Sequence, residues 1–257
     1  KRPMESSTWQ NEANMQLGSN LASGDMDGDQ RCELVVSSKI RHPGTDKPNG
    51  SVSVYRGKSP GAFFPGGVEM VPAKMWTDAG TMSLYFGWHL SMGDVTNDGL
   101  ADVFISHPGY MANGEANSTS RGAAFLISGS DLEPGLASEM DDIRTSGAWM
   151  HRSYDGVSDW DSSGWRGHFG DMDGDGLTDL IIVDLADEIA DPEFAPELFN
   201  AWSNSGVLSL YKGLEGQLPE MTPSGLMIGL EAQDYIADAA VLSDMNGDGA
   251  HELIFFA

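Results

Sequence analysis

Cysteine is almost absent: Cys32 is alone among 257 residues, so no disulfide closes within the chain and any staple must come from other chemistry. Bases are scarce as well. Fourteen Lys and Arg face 39 Asp and Glu, a formal net charge of -25, which repels a phosphate backbone and argues against nucleic acid as a partner. No run approaches the roughly 18 apolar residues needed to cross a bilayer, and Lys1 to Glu5 has no apolar signal core. A soluble chain without a leader is the expectation. Catalytic signatures are missing too: there is no Gly-x-Ser-x-Gly elbow, no His-Glu-x-x-His and no phosphate loop. The histidines, at positions 42, 89, 107, 151, 168 and 251, form no constellation, so the chain is not expected to be an enzyme.

What is present is a repeat. Forty per cent apolar residues can fill a core, and 32 glycines imply many turns. GDMDGDQRCELVV from Gly24, GDVTNDGLADVFI from Gly93, GDMDGDGLTDLII from Gly170 and SDMNGDGAHELIF from Ser243 align, their leading acids 69, 77 and 73 residues apart. A short segment precedes each acidic loop, and ELVV, DVFI, DLII and ELIF after the loops read as near-continuous apolar strands. Alternating third strands follow at GSVSVYRG, GAAFLISG and GVLSLYKG. VEMVPAKMWT, MDDIRTSGAWMH and GLMIGLEAQD each supply a fourth, outer strand. Only Asp187 to Phe199 tempts a helical reading, and Pro192 and Pro196 interrupt it.

Four strands per unit predict an all-β protein, a β-propeller of four-stranded antiparallel blades. About three blades are complete and part of a fourth is present, with repeats near 17–82, 83–163, 164–234 and 235–257. Residues 1–16, with ESSTWQNE, are expected to form the outer strand of a neighbouring blade, and the missing strands to come from the rest of the protein or another chain.

Counted from the first Asp, each loop carries oxygen side chains at positions 1, 3, 5 and 9. The sets are Asp25, Asp27, Asp29 and Glu33; Asp94, Thr96, Asp98 and Asp102; Asp171, Asp173, Asp175 and Asp179; and Asp244, Asn246, Asp248 and Glu252. Position 7, at Arg31, Leu100, Leu177 and Ala250, offers a backbone carbonyl. Such a shell of hard oxygens suits Ca2+, and without a cation the crowded carboxylates would repel one another. Up to four Ca2+ ions are therefore expected, structural rather than catalytic. Glycines at positions 4 and 6 (Gly28, Gly99, Gly174, Gly176, Gly247, Gly249) let the loop fold back, whereas Gln30 stands where glycine is expected and should strain the first loop. The third loop, with four carboxylates and both glycines, should bind most tightly, and the second and fourth less so. An EF-hand is set aside because position 12 is Val36, Ile105, Ile182 or Phe255 rather than Glu.

These loops, with the downstream Gly-x-Val-x-Val-Tyr pattern and FG-like dipeptides at Phe86-Gly87, Phe169-Gly170 and, more weakly, Leu17-Gly18, resemble FG-GAP repeats. Those repeats build the propeller of integrin α-subunits and of many bacterial surface proteins. The resemblance implies calcium between the first and second strands of each blade and commonly seven blades about an axis. Such loops fill where calcium is near millimolar, which predicts an extracellular, periplasmic or cell-surface location. The implied role is adhesion or protein interaction. The alternative is the propeller portion of a secreted carbohydrate-binding protein, or of an enzyme degrading polysaccharide or phospholipid. A protein or glycan ligand is expected on the face opposite the calcium loops, with His107, Tyr110, Phe199 and Trp202 as candidate contacts and Trp160 to Trp165 as a candidate sugar platform.

Overall fold

The computed structural model describes residues 2–3, 17–38, 50–57, 72–78, 85–110, 122–131, 139–151, 163–185, 206–229 and 240–255. They are strands and turns, with two single-turn 3-10 segments and no α-helix among the described residues. The strands are β1 (Arg2–Pro3), β2 (Leu17–Gly24), β3 (Glu33–Ser38), β4 (Ser51–Tyr55), β5 (Lys74–Thr77), β6 (Leu90–Gly93), β7 (Asp102–His107) and β8 (Ala123–Ile127). They continue as β9 (Glu139–Asp142), β10 (Trp149–His151), β11 (Arg166–Gly170), β12 (Asp179–Asp184), β13 (Val207–Tyr211), β14 (Gly225–Ile228), β15 (Ala240–Ser243) and β16 (Glu252–Phe255). The sequence predicts an all-β chain, and the structure is all-β.

Among the described residues four sheets follow one another along the chain, and within each a strand, acidic loop and strand repeat. Their orders are β1-β9-β5-β4-β3-β2, β10-β8-β7-β6, β11-β12-β13-β14 and β15-β16. Registers repeat too: Gly24 pairs with Glu33, Gly93 with Asp102, Gly170 with Asp179 and Ser243 with Glu252. The sheets stack face to face, and alternation on β7 shows how. Val103 and Ile105 join Val35, Val52, Val54 and Trp76 of the first sheet, while Phe104 turns the other way to meet Leu180, Ile182 and Tyr211 of the third. Ile181, Val183 and Leu208 then pack toward Leu242 and Leu253 of the fourth. A strand buried on both faces has no polar side, which is why DVFISH and DLIIVD are buried throughout and read as apolar runs. Each such large side chain contributes roughly 1.5–3 kcal/mol of burial.

Two expectations change. The segment MDDIRTSGAWMH does not make one outer strand: Glu139–Asp142 runs parallel to β5 on the edge of the first sheet, and only Trp149–His151 completes the second. Lys74 of β5 bonds Asp141 of β9, and β1 pairs antiparallel to β9. The charge on β9 is what lets a polar strand sit there. Second, Phe169-Gly170 is not the counterpart of Phe86-Gly87. Register places Gly170 with Gly24 and Gly93, whereas the left-handed glycines six residues earlier are Gly18 (φ +85°), Gly87 (φ +76°) and Gly164 (φ +69°). Ser163 takes the aromatic position, its hydroxyl donating to Asp184 Oδ1 at 3.0 Å, and the Gly164 amide donates to the same oxygen at 2.5 Å. A Cβ on Gly164 would sit 2.5 Å from the Ala123 backbone of the preceding sheet, so this glycine is needed for space as well as for its dihedral.

Residues 4–16, the helix-tempted Asp187 to Phe199, and Trp160, Phe199 and Trp202 lie outside the described residues.

Candidate metal centre

All four acidic loops lie at one end of the stack, because each joins a first strand to a second and neighbouring loops bond to one another. The position-8 amide of one loop donates to the position-1 carbonyl of the loop before it: Ala101 N to Asp25 O at 2.7 Å and His251 N to Asp171 O at 2.6 Å. Between the second and third loops the acceptor is instead a side chain, Asn97 Oδ1, which takes the Thr178 amide at 2.8 Å.

Within the first loop, the Asp25 carboxylate accepts from Gly28 N and Gln30 N, both at 2.8 Å. The third loop repeats this with Asp171, Gly174 N (2.7 Å) and Gly176 N (2.8 Å), and the fourth with Asp244, Gly247 N (2.6 Å) and Gly249 N (3.1 Å). The position-5 acid accepts from the position-7 amide in every copy: Asp29 from Arg31, Asp98 from Leu100, Asp175 from Leu177 and Asp248 from Ala250. Those bonds curl the loop so that alternate side chains converge. Gln30 pays the expected conformational cost, with φ at +66°.

Two groups of carboxylates bring one oxygen each within 4.8 Å of the others: Asp25, Asp27 and Asp29, and Asp171, Asp173 and Asp179. Among the described residues the second and fourth loops form no such group. In the fourth, Asn246 Nδ2 donates to Asp248 and Glu252 at 3.0 and 2.8 Å, a neutral dipole where the first and third loops carry a carboxylate. Thr96 of the second is buried.

The closing acids of the first three loops, Glu33, Asp102 and Asp179, are buried beneath the loops, and Glu252 of the fourth is half-buried. Glu33 accepts from Met26 N (2.8 Å) and Gly57 N (3.2 Å), and Asp179 from Met172 N and Gly213 N (both 2.9 Å), tying each loop to the end of the third strand of its sheet. Desolvation raises the pKa of both; amide bonds oppose this, and repulsion from Asp27 and Asp29, or from Asp173 and Asp175, adds to it. Cationic side chains stand at the rims: Lys212 bonds Asp173 and holds its carboxyl below the usual range, Arg31 lies 3.3 Å from Asp29, and Arg56 lies 3.8 Å from Asp27. Converging hard oxygens, desolvation and mutual repulsion fit a divalent cation that prefers oxygen, as Ca2+ does. Asp25, Asp27, Asp29 and Glu33 would hold one ion and Asp171, Asp173, Asp175 and Asp179 another. An ion there screens repulsion and fixes the loop.

The opposite end carries different chemistry. His107 and Tyr110, read from the sequence as ligand contacts, are buried. His107 Nε2 lies 2.8 Å from Asp78 Oδ2, Arg144 bonds the same carboxylate through Nε and Nη2, and its guanidinium stacks 4.7 Å from the Tyr110 ring. Asp78 and Arg144 are 29 residues before and 37 after His107, so no neighbouring residue signals that the histidine is covered. Trp165, from the predicted sugar platform, does meet another aromatic: Trp88, at 5.1 Å between ring centroids, with the exposed Tyr85 edge-on to Trp88 at 5.4 Å. His251, beside Glu252, instead receives the Asp171 amide on Nδ1 at 3.2 Å.

No curated protein matches the chain. Residues 86–127, which run from Phe86 through β6, the second acidic loop, β7 and β8, match the family model of the FG-GAP repeat. That stretch is an FG-GAP repeat, consistent with the FG-GAP and integrin-like family.

Proposed function

We propose that the sheets are blades of a calcium-stabilised β-propeller acting outside the cell or at its surface as an adhesion or protein-interaction module, with the metal structural and no reaction catalysed. The observation that carries this is the pair of three-carboxylate groups, Asp25, Asp27 and Asp29 and Asp171, Asp173 and Asp179, in loops whose strand register matches that of the loop inside the FG-GAP repeat at 86–127. Supporting it, the sheets pack face to face in chain order around neighbouring first strands, as blades do. No described helix is long and apolar enough to cross a membrane.

The ligand would lie at the end opposite the loops, where the second strands end and the third strands begin. One observation favours a glycan as that ligand, and with it the alternative of a secreted carbohydrate-binding protein: Tyr85 is an exposed aromatic held at φ +69°, beside the Trp88–Trp165 pair.

Calorimetric titration with Ca2+ tests the metal. Asp173→Ala should abolish or greatly weaken one site, whereas Asn246→Ala should change binding little, and identical titrations for the two would refute the ranking of loops. A glycan array run beside a pull-down separates the ligand classes: a sugar signal lost in Trp165→Ala supports the alternative, and a protein partner with no sugar signal supports adhesion.

A further inference from the structure

We propose that the acidic loop of the second sheet, Asp94 to Asp102, is closed by its own donors and by the third sheet rather than by an ion, and that Asn97 is the pin by which it positions the third loop. The inference rests on the calcium reading of the first and third loops and departs from it at the second.

The closing acid decides the first half. Asp102, fully buried, accepts four hydrogen bonds: from Val95 N (2.8 Å), Thr96 N (2.9 Å), Thr96 Oγ1 (3.4 Å) and Gly129 N (3.0 Å). A carboxylate has about four lone-pair sites, so none is left for a cation. Glu33 and Asp179 accept only two each among the bonds described above, and retain that capacity. Thr96, at the third ligand position, is 2% exposed, its hydroxyl turned to Asp102 and its carbonyl taking the Gly216 amide of the third sheet at 2.6 Å.

The first turn of this loop is also out of step. Asp94 accepts from the amides at positions 5 and 6, Asp98 (3.0 Å) and Gly99 (2.9 Å), where the other loops use positions 4 and 6. Position 4 is glycine in those loops and Asn97 here, at φ +51°, a conformation Asn tolerates. Its amide is held at both ends: Nδ2 donates to Val95 O at 3.1 Å, and Oδ1 accepts from Thr178 N at 2.8 Å. Thr178 immediately precedes Asp179, the closing ligand of the third loop. Asn97 thus takes the place of the main-chain carbonyl that links the other neighbouring loops.

The test joins native mass spectrometry in Ca2+ with hydrogen exchange of the calcium-free protein. Asp98→Asn should bind as many Ca2+ ions as the wild type; loss of an ion overturns the first half. Asn97→Gly, which keeps the backbone conformation, should speed exchange of the Thr178 amide about tenfold, the factor for one lost amide hydrogen bond, and weaken Ca2+ binding at the third loop. Asn97→Asp keeps the acceptor and should preserve Thr178 protection. Unchanged exchange in Asn97→Gly overturns the pin. A wild-type protein that takes up no calcium would overturn the proposed function and leave the pin to be decided by Thr178 exchange.

Discussion

His168 on β11 shows how a single ring registers its surroundings. Its Nε2 is buried with no hydrogen-bond partner among the described residues, the His89 ring is 6.0 Å away, and desolvation, with Arg166 adding repulsion, lowers its pKa to about 4. An unfolded histidine protonates near 6.5, so between pH 6.5 and about 4 the unfolded chain binds a proton that the native state refuses. Stability contributed by the neutral ring is therefore full above that window and lost as pH falls through it. His168→Asn should remove this slope: in urea titrations at pH 7 and pH 4.5, the wild type should lose on the order of 2–3 kcal/mol more than the variant. Equal losses would mean that the ring titrates as if exposed. At this scale the candidate site's acidic groups were legible, because oxygens at alternate positions can be counted without knowing the fold, and Gln30 was recognisable as a misfit for the same reason. Thr96 and Asn97 were not. Thr96 looks like a weaker ligand in the alignment and Asn97 like a replaced turn glycine, and only the third sheet, at Gly216 and at Thr178, 81 residues beyond Asn97, shows what their hydrogen bonds do.

Between elements, close approach decides the architecture. Gly50, at the head of β4, faces the next sheet so tightly that a Cβ would lie 2.1 Å from Phe86 O and 2.8 Å from Ser38 O. Both obstacles are backbone and cannot swing aside. Gly50→Ala should therefore push the first and second sheets apart and cost roughly 1–3 kcal/mol, measurable as a lower urea midpoint; an unchanged midpoint would show that the sheets can separate freely. The strands themselves were readable from sequence because burial on both faces writes apolar runs and one-faced burial writes alternation. β9 escaped that logic. EMDD has neither pattern, and it joins a sheet through main-chain pairing and the Lys74–Asp141 ion pair, in parallel to a strand 65 residues earlier. The Ser163-Gly164 turn escaped as well, since a hydroxyl bonded to Asp184 replaces the aromatic ring that would have marked it.

For the molecule as a whole, the excess of acid and the linking of loops meet in one consequence. Fourteen carboxylates of the 39 acids lie at ligand positions of the four loops, all at one end of the stack, and position-8 contacts chain each loop to the next. Removing calcium should then do more than vacate independent sites: repulsion in the first loop acts through Asp25 O on Ala101, and repulsion in the third acts through Asp171 O on His251. Bound metal stabilises by mass action, by about 2.7 kcal/mol per site when calcium is a hundredfold above its dissociation constant. Two filled sites in a protein of this size correspond to a loss of roughly 10–20 °C in melting temperature on chelation. Scanning calorimetry with Ca2+ and with a chelator reads it directly. Because monovalent salt screens exposed carboxylates but does not satisfy their coordination, high sodium chloride should restore only part of the loss. Full recovery in salt alone would show that net charge, and not a bound divalent ion, is what the loops require.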